Sequence, residues 1–180
     1  MENVQTVAVE RTGILDELTE ISAALEMEDR ITGFAMGGRL SRDLRAIWPA
    51  VAPQIGDIVD TFFEALFSRP EVSEAIRGHD PETLKKRQIE YWHFLFNDEI
   101  DQRYGRVISE RGAFMHQVGL EPRHYLPPYT LIFDRFHQAA VEAFGDDRDM
   151  LARAAVALNR LNFLTNEIMA ATHHELVRRE

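Results

Sequence analysis

The chain has 180 residues, 45% apolar and 28% charged, which is length and composition enough for one domain with a full core. Its formal net charge of −10, with no local run of Lys or Arg to reverse it, argues against nucleic acid or an anionic membrane as a direct partner. The lack of cysteine excludes disulfides, iron–sulfur ligation, a thiolate nucleophile and any cofactor attached through a thioether.

The first residues, Met1-Glu2-Asn3-Val4, lack the basic and apolar regions of a signal peptide, and no apolar run approaches a membrane span; a cytoplasmic protein is expected. Ile14, Leu15, Leu18, Ile21 and Leu25 then repeat at helical spacing, closed by a break at Gly33, Gly37 and Gly38. Residues 1–38 are read as an N-terminal helix and linker outside the main body, and 39–180 as the domain proper. Ser41 is the expected cap of a short helix through Trp48, after which Pro49 and Pro53 turn the chain. Ile55, Ile58, Val59, Phe62, Phe63, Leu66 and Phe67 follow as a helix apolar on more than one side, hence central. Ser68-Arg69-Pro70 ends it, and a short helical piece reaches Arg77.

Asp80 and Pro81 are the cap and first turn of the next helix, whose inner residues are Leu84, Ile89, Trp92 and Phe96, with Gln88 among them. A helix from about Asp101 stops at Gly119, a suitable left-handed C-terminal position. Pro122 opens a longer one through Leu131, Ile132, Phe136, Ala140 and Phe144, with Pro127 and Pro128 kinking its start. The last helix runs from Asp147 to about Arg179. Its stripe of Leu151, Leu158, Leu161, Ile168 and Leu176 is close to heptad spacing and predicts a homodimer built on the last two helices. No segment has the alternation of a strand, so the fold class is all-α, with roughly seven helices and the N-terminal appendage.

His116 is the residue with the most specific surroundings. One and two turns back its face carries only Ala113, Gly112 and Ser109 before Ile108. Residues three and four apart share a helix face, so a flat, bulky group can approach this one closely with the imidazole pointing at it. An iron porphyrin has that shape. A lone helical histidine is otherwise more often a satisfied or exposed polar group, and His173-His174, as neighbours, do not share a face and read as surface. Lys86, Arg106 and Arg111 read as surface cations. No Ser-His-Asp arrangement, phosphate loop or paired acidic site is recognisable, so no catalytic residues are assigned and no enzyme is expected.

Trp92-His93-Phe94-Leu95-Phe96, Glu99-Ile100-Asp101 with Tyr104, and His116-Gln117-Val118-Gly119-Leu120-Glu121-Pro122-Arg123-His124-Tyr125 together resemble the haem domain of globin-coupled sensors and protoglobins. Asp60-Thr61-Phe62-Phe63-Glu64-Ala65-Leu66 with Pro70-Glu71 fits the same pattern, and the resemblance spans roughly residues 40 to 175. It implies a globin fold in which non-covalent haem b is ligated through iron by His116. It implies a pocket lined by Phe62, Phe63 and Phe67, by Leu84, Gln88, Ile89 and Trp92, and by Ile108 and Tyr125. Many members carry tyrosine where this chain has Phe63, which cannot donate to bound oxygen; Gln88 is then the remaining donor. His124 stands where the family often has tryptophan. The function implied is a haem-based gas sensor that binds O₂ or another diatomic molecule and signals through a dimer interface to an output domain. The alternatives are a haem-containing oxidase or nitric oxide dioxygenase, and a haem-free globin-like signalling domain with no need of His116.

Overall fold

The structure, a computed structural model, describes residues 38–180 together with Asp29 and Gly33; the expected helix over 14–25 lies outside the described residues. The elements are α1 (Gly38–Val51), a single 3₁₀ turn (Ala52–Gln54), α2 (Ile55–Phe67), α3 (Pro70–Ala75), α4 (Pro81–Asn97), α5 (Gln102–Gln117), α6 (Pro122–Phe144) and α7 (Arg148–Arg179). No strand occurs among the described residues.

Three aspartates set the starts of α4, α5 and α7. Asp80, Asp101 and Asp147 accept from the backbone N–H three residues on, at 2.8, 3.0 and 2.9 Å, giving α4, α5 and α7 a partner for one otherwise orphaned donor each. Gly119, at φ 76°, ends α5 in the left-handed region that costs an L side chain about 1–2 kcal/mol. The start of α6 is a reciprocal cap: the Glu121 side chain accepts from the His124 backbone, and His124 Nδ1 accepts from the Glu121 N–H at 3.0 Å. Pro127 lies inside α6 and leaves the Arg123 carbonyl without its helical donor; Arg69 Nη1 donates to it at 3.3 Å.

The first helix departs from its sequence reading. It begins at Gly38 and continues through Pro49 to Val51, so Ser41 lies within the helix and is buried rather than capping it. Leu131, one of the apolar residues along α6, is 38% exposed.

The core is contiguous. Helix α1 packs on α4, α6 and α7, with an Asp43–Arg153 ion pair at 3.4 Å joining α1 to α7; α2 lies against α4 and α6; α7 covers α5 and α6. At 32 residues α7 is about 48 Å long. Leu158, Leu161 and Ile168, expected to pack against a partner subunit as well as their own domain, are fully buried inside this domain. Leu151 and Leu176, at the ends of the same stripe, are half-buried.

The contact of α5 with α7 is unusually close at Gly112. A Cβ there would lie 3.0 Å from the Met169 carbonyl oxygen, 3.1 Å from Met169 Cα and 3.3 Å from Thr172 Cβ, two of the three being backbone. Gly112→Ala is therefore expected to destabilise by about 1–3 kcal/mol through overpacking, more than the roughly 0.5–1 kcal/mol that alanine gains within a helix. Urea denaturation measures this, and an unchanged midpoint would show that α5 and α7 stand farther apart.

Candidate functional site

Most of the residues expected to line a pocket do come together. Phe62 packs edge-on against Phe63 at 5.3 Å and against Tyr129 at 5.2 Å, and Phe63 lies 5.2 Å from Phe67. Trp92 on α4 lies 5.9 Å from the Tyr129 ring and 5.0 Å from Phe136, and Tyr125 is 6.5 Å from Tyr129. These rings form a filled aromatic centre. Leu84, Gln88 and Ile108 are buried, and Ile89 is half-buried. Tyr129, at the middle of the cluster, was not singled out from the sequence; its spacing four residues after Tyr125 on one face of α6 was the available signal.

His116 lies elsewhere. Its Nε2 is 3.0 Å from the Glu180 carboxylate, and its ring stands edge-on to His173 at 5.1 Å, so the imidazole faces α7. The small residues that precede it explain why: Gly112 admits the backbone of α7, and Ser109, on the same side of α5, is fully buried. A face of small side chains fits a closely packed helix as well as a flat cofactor, and here the helix occupies it. Successive helix residues turn by about 100°, so Tyr104, Ile108 and Met115 are the residues that α5 directs into the core.

A cavity of 230 Å³ opens between α4 and α5. It is lined by Leu84 and Tyr91 from α4, by Val107, Arg111 and Phe114 from α5, and at its rim by the exposed Arg87 and Glu110. The α5 lining residues stand about 120–180° around that helix from His116. Arg111 donates to Gln88 Oε1 across the cleft, and its guanidinium lies 5.7 Å from the Tyr91 ring centroid, a cation–π contact. Burial drives the Tyr91 hydroxyl well above its ordinary pKa, so it stays a neutral donor. Read from sequence as a surface cation, Arg111 falls between Ile108 and Met115 at i−3 and i+4, the spacing that places it beside the inward face.

Several buried polar atoms find no hydrogen-bond partner among the described residues, including Gln88 Nε2, Tyr91 Oη, Trp92 Nε1, Ser109 Oγ, Arg111 Nε, Tyr125 Oη and Tyr129 Oη. Such orphans are uncommon in a native interior and concentrate here around α4, α5 and α6. No cluster of three or more His, Cys, Asp or Glu side chains suited to a metal ion occurs among the described residues. Among those residues no helix is long and apolar enough to cross a membrane.

His173 carries a pH dependence. Burial first, then the neighbouring His116, hold the His173 pKa below its ordinary 6.5, with His174 adding to this and Glu121 and Glu180 opposing it. A histidine with a lowered folded pKa contributes stability that is present above 6.5 and lost as pH falls through the folded value. The urea midpoint should therefore fall as pH drops below 6.5. His173→Asn should flatten that decline, and an identical acid limb in the variant would remove His173 from the account.

The arrangement is that of a globin. The fold is similar to the globin domain of a Geobacter sulfurreducens globin-coupled sensor, with a TM-score of 0.75 over 82% of this chain and 97% of that domain, at 18% sequence identity. Residues 24–176 match the sequence profile of the Protoglobin family, and the chain belongs to that family. No curated protein matches the chain. Haem and oxygen binding are typical of the family. The residues of this chain do not fit an iron porphyrin held by His116, because the imidazole is committed to α7 and the interior toward α4 is filled by aromatic rings. The α4–α5 cavity, at 230 Å³, is below the roughly 300–1,000 Å³ of sites for larger ligands.

Proposed function

We propose that this chain is a non-enzymatic signalling globin that works without haem, through contacts among its helices and between two copies of itself. The observation that carries this reading is the placement of His116 against Glu180 and His173 rather than toward the α4–α5 cleft. Without an inward imidazole the protein offers no axial nitrogen from α5, and the aromatic rings around Tyr129 take up the space a porphyrin needs.

A homodimer through α6 and α7 belongs to the same reading. Every large apolar side chain that stays exposed among the described residues is on these two helices: Leu131 and Val141 on α6, and Val156, Phe163 and Val177 on α7. The α7 members stand 7 and 14 residues apart and so share one stripe. A shift of α5 relative to α7 then reaches the partner and an output domain through that stripe.

Family membership favours a second reading, a haem b sensor in which His116 ligates iron and a diatomic gas is the signal. Titration of the purified protein with ferric haem separates the two. The haem-free reading expects no stoichiometric uptake, and the same absorption for His116→Ala as for the wild type. One haem per chain, with an axial-nitrogen spectrum lost in His116→Ala, would replace it with the gas sensor.

A further inference from the structure

The α4–α5 cleft joins three features with different origins. First, Arg111 is half-buried, and its neutral partner there is Gln88 Oε1; no carboxylate pairs with it among the described residues. A guanidinium drawn out of water without a counter-ion is costly, and an incoming anion relieves that cost. Second, Arg111 Nε and Tyr91 Oη, on two of the lining residues, lack hydrogen-bond partners, and the first acts only as a donor. The complement of such a set is a group made of acceptors. Third, the walls supplied by Leu84, Val107 and Phe114 are apolar. The rim residues Arg87 and Glu110 are exposed and opposite in sign, so the net charge facing the cavity is that of Arg111.

We propose that this cavity binds a short monocarboxylate, its head group on Arg111 beside Tyr91 and its chain against Leu84, Val107 and Phe114. A carboxylate presents two coplanar acceptors that match the guanidinium fork, which an alcohol or amine does not. Size sets the chain length. At about 30 Å³ per water-sized group, the 230 Å³ cavity admits roughly seven or eight heavy atoms, the size of hexanoate. Bound there, the ligand ties α4 to α5, and α5 is locked to α7 at Gly112. The inference rests on the haem-free reading for its place in signalling, since it gives that domain a small molecule to sense.

Isothermal titration of the 180-residue chain with hexanoate, hexan-1-ol and hexylamine tests it. Hexanoate should saturate with a Kd of about 1 mM or tighter, and the alcohol and the amine should bind at least about tenfold more weakly. Arg111→Gln should weaken hexanoate by about tenfold or more and leave the alcohol unchanged, and Tyr91→Phe should weaken hexanoate several-fold. Thermal unfolding checks that each variant is folded; if Arg111→Gln is not, the hexanoate-to-alcohol ratio of the wild type and the Tyr91→Phe result decide. Equal binding of acid and alcohol, no saturation by hexanoate, or undiminished binding by folded Arg111→Gln would overturn the assignment. Failure of hexanoate binding in a protein that takes up no haem removes the cavity assignment alone, whereas stoichiometric haem uptake removes the haem-free reading.

Discussion

Trp92→Ala should cost about 3–5 kcal/mol, the range for removing a fully buried large aromatic. That is about a fifth or more of the stability of most domains, about 5–15 kcal/mol. Trp92 is completely buried at the meeting point of α4 and α6, with the rings of Tyr91, Tyr129, Phe133 and Phe136 all within 6 Å of its own. Truncation leaves a cavity among rings fixed on two packed helices, which cannot all collapse into it. The result also separates the two functional readings. If Trp92 instead walled a cofactor slot, its loss would enlarge that slot and cost the cofactor-free protein much less. Urea denaturation followed by far-ultraviolet circular dichroism gives the value, and a loss under about 1 kcal/mol would show that the centre is not packed as described.

Phe163→Asp should turn a dimer into a monomer. Phe163 is 58% exposed, the most exposed large apolar side chain on α7, and lies between Val156 and Val177, each 49% exposed. In a two-fold interface each substitution acts twice, so a loss of about 2 kcal/mol per copy weakens association by about 4 kcal/mol, on the order of a thousandfold. Sedimentation equilibrium at micromolar concentration reads this directly. Leu158→Asp makes the contrast: buried in the same helix, it should unfold the domain instead of splitting the dimer. A wild type that sediments as a monomer, or a Phe163→Asp variant as dimeric as its parent, would end the proposal of an α6–α7 interface.

The helices were legible in the sequence because their signals are local. The aspartates at 80, 101 and 147, the prolines at 81 and 122 and the glycine at 119 each act on a backbone group within one turn, and each stands at the expected helix end. The globin fold was legible through its motifs. The rotation of α5 about its own axis was not. Ser109, Gly112, Ala113 and His116 form a face of small residues, and what fills such a face is decided by a partner more than 50 residues away, at Met169 and Thr172. Sequence spacing cannot distinguish a close helix from a flat ligand there. The same limit applied to α7, where an apolar heptad identifies a covered stripe but not which neighbour covers it. Leu158, Leu161 and Ile168 face the domain, and the outward stripe is the less conspicuous Val156, Phe163 and Val177. Arg111 was missed for a related reason: a charged residue beside an inward face looks like a surface cation until the facing helix supplies Gln88 and Tyr91.

The packing of α1 against α7, with Asp43 paired to Arg153, has a consequence for biosynthesis. Leu40, Leu44 and Ile47 are translated more than 100 residues before the helix that helps enclose them. At about 5–20 residues per second, the ribosome leaves that greasy strip uncovered for several seconds. During that interval the nascent chain offers chaperones a binding site that the finished protein does not have, and premature termination before α7 leaves a product with no means of hiding it.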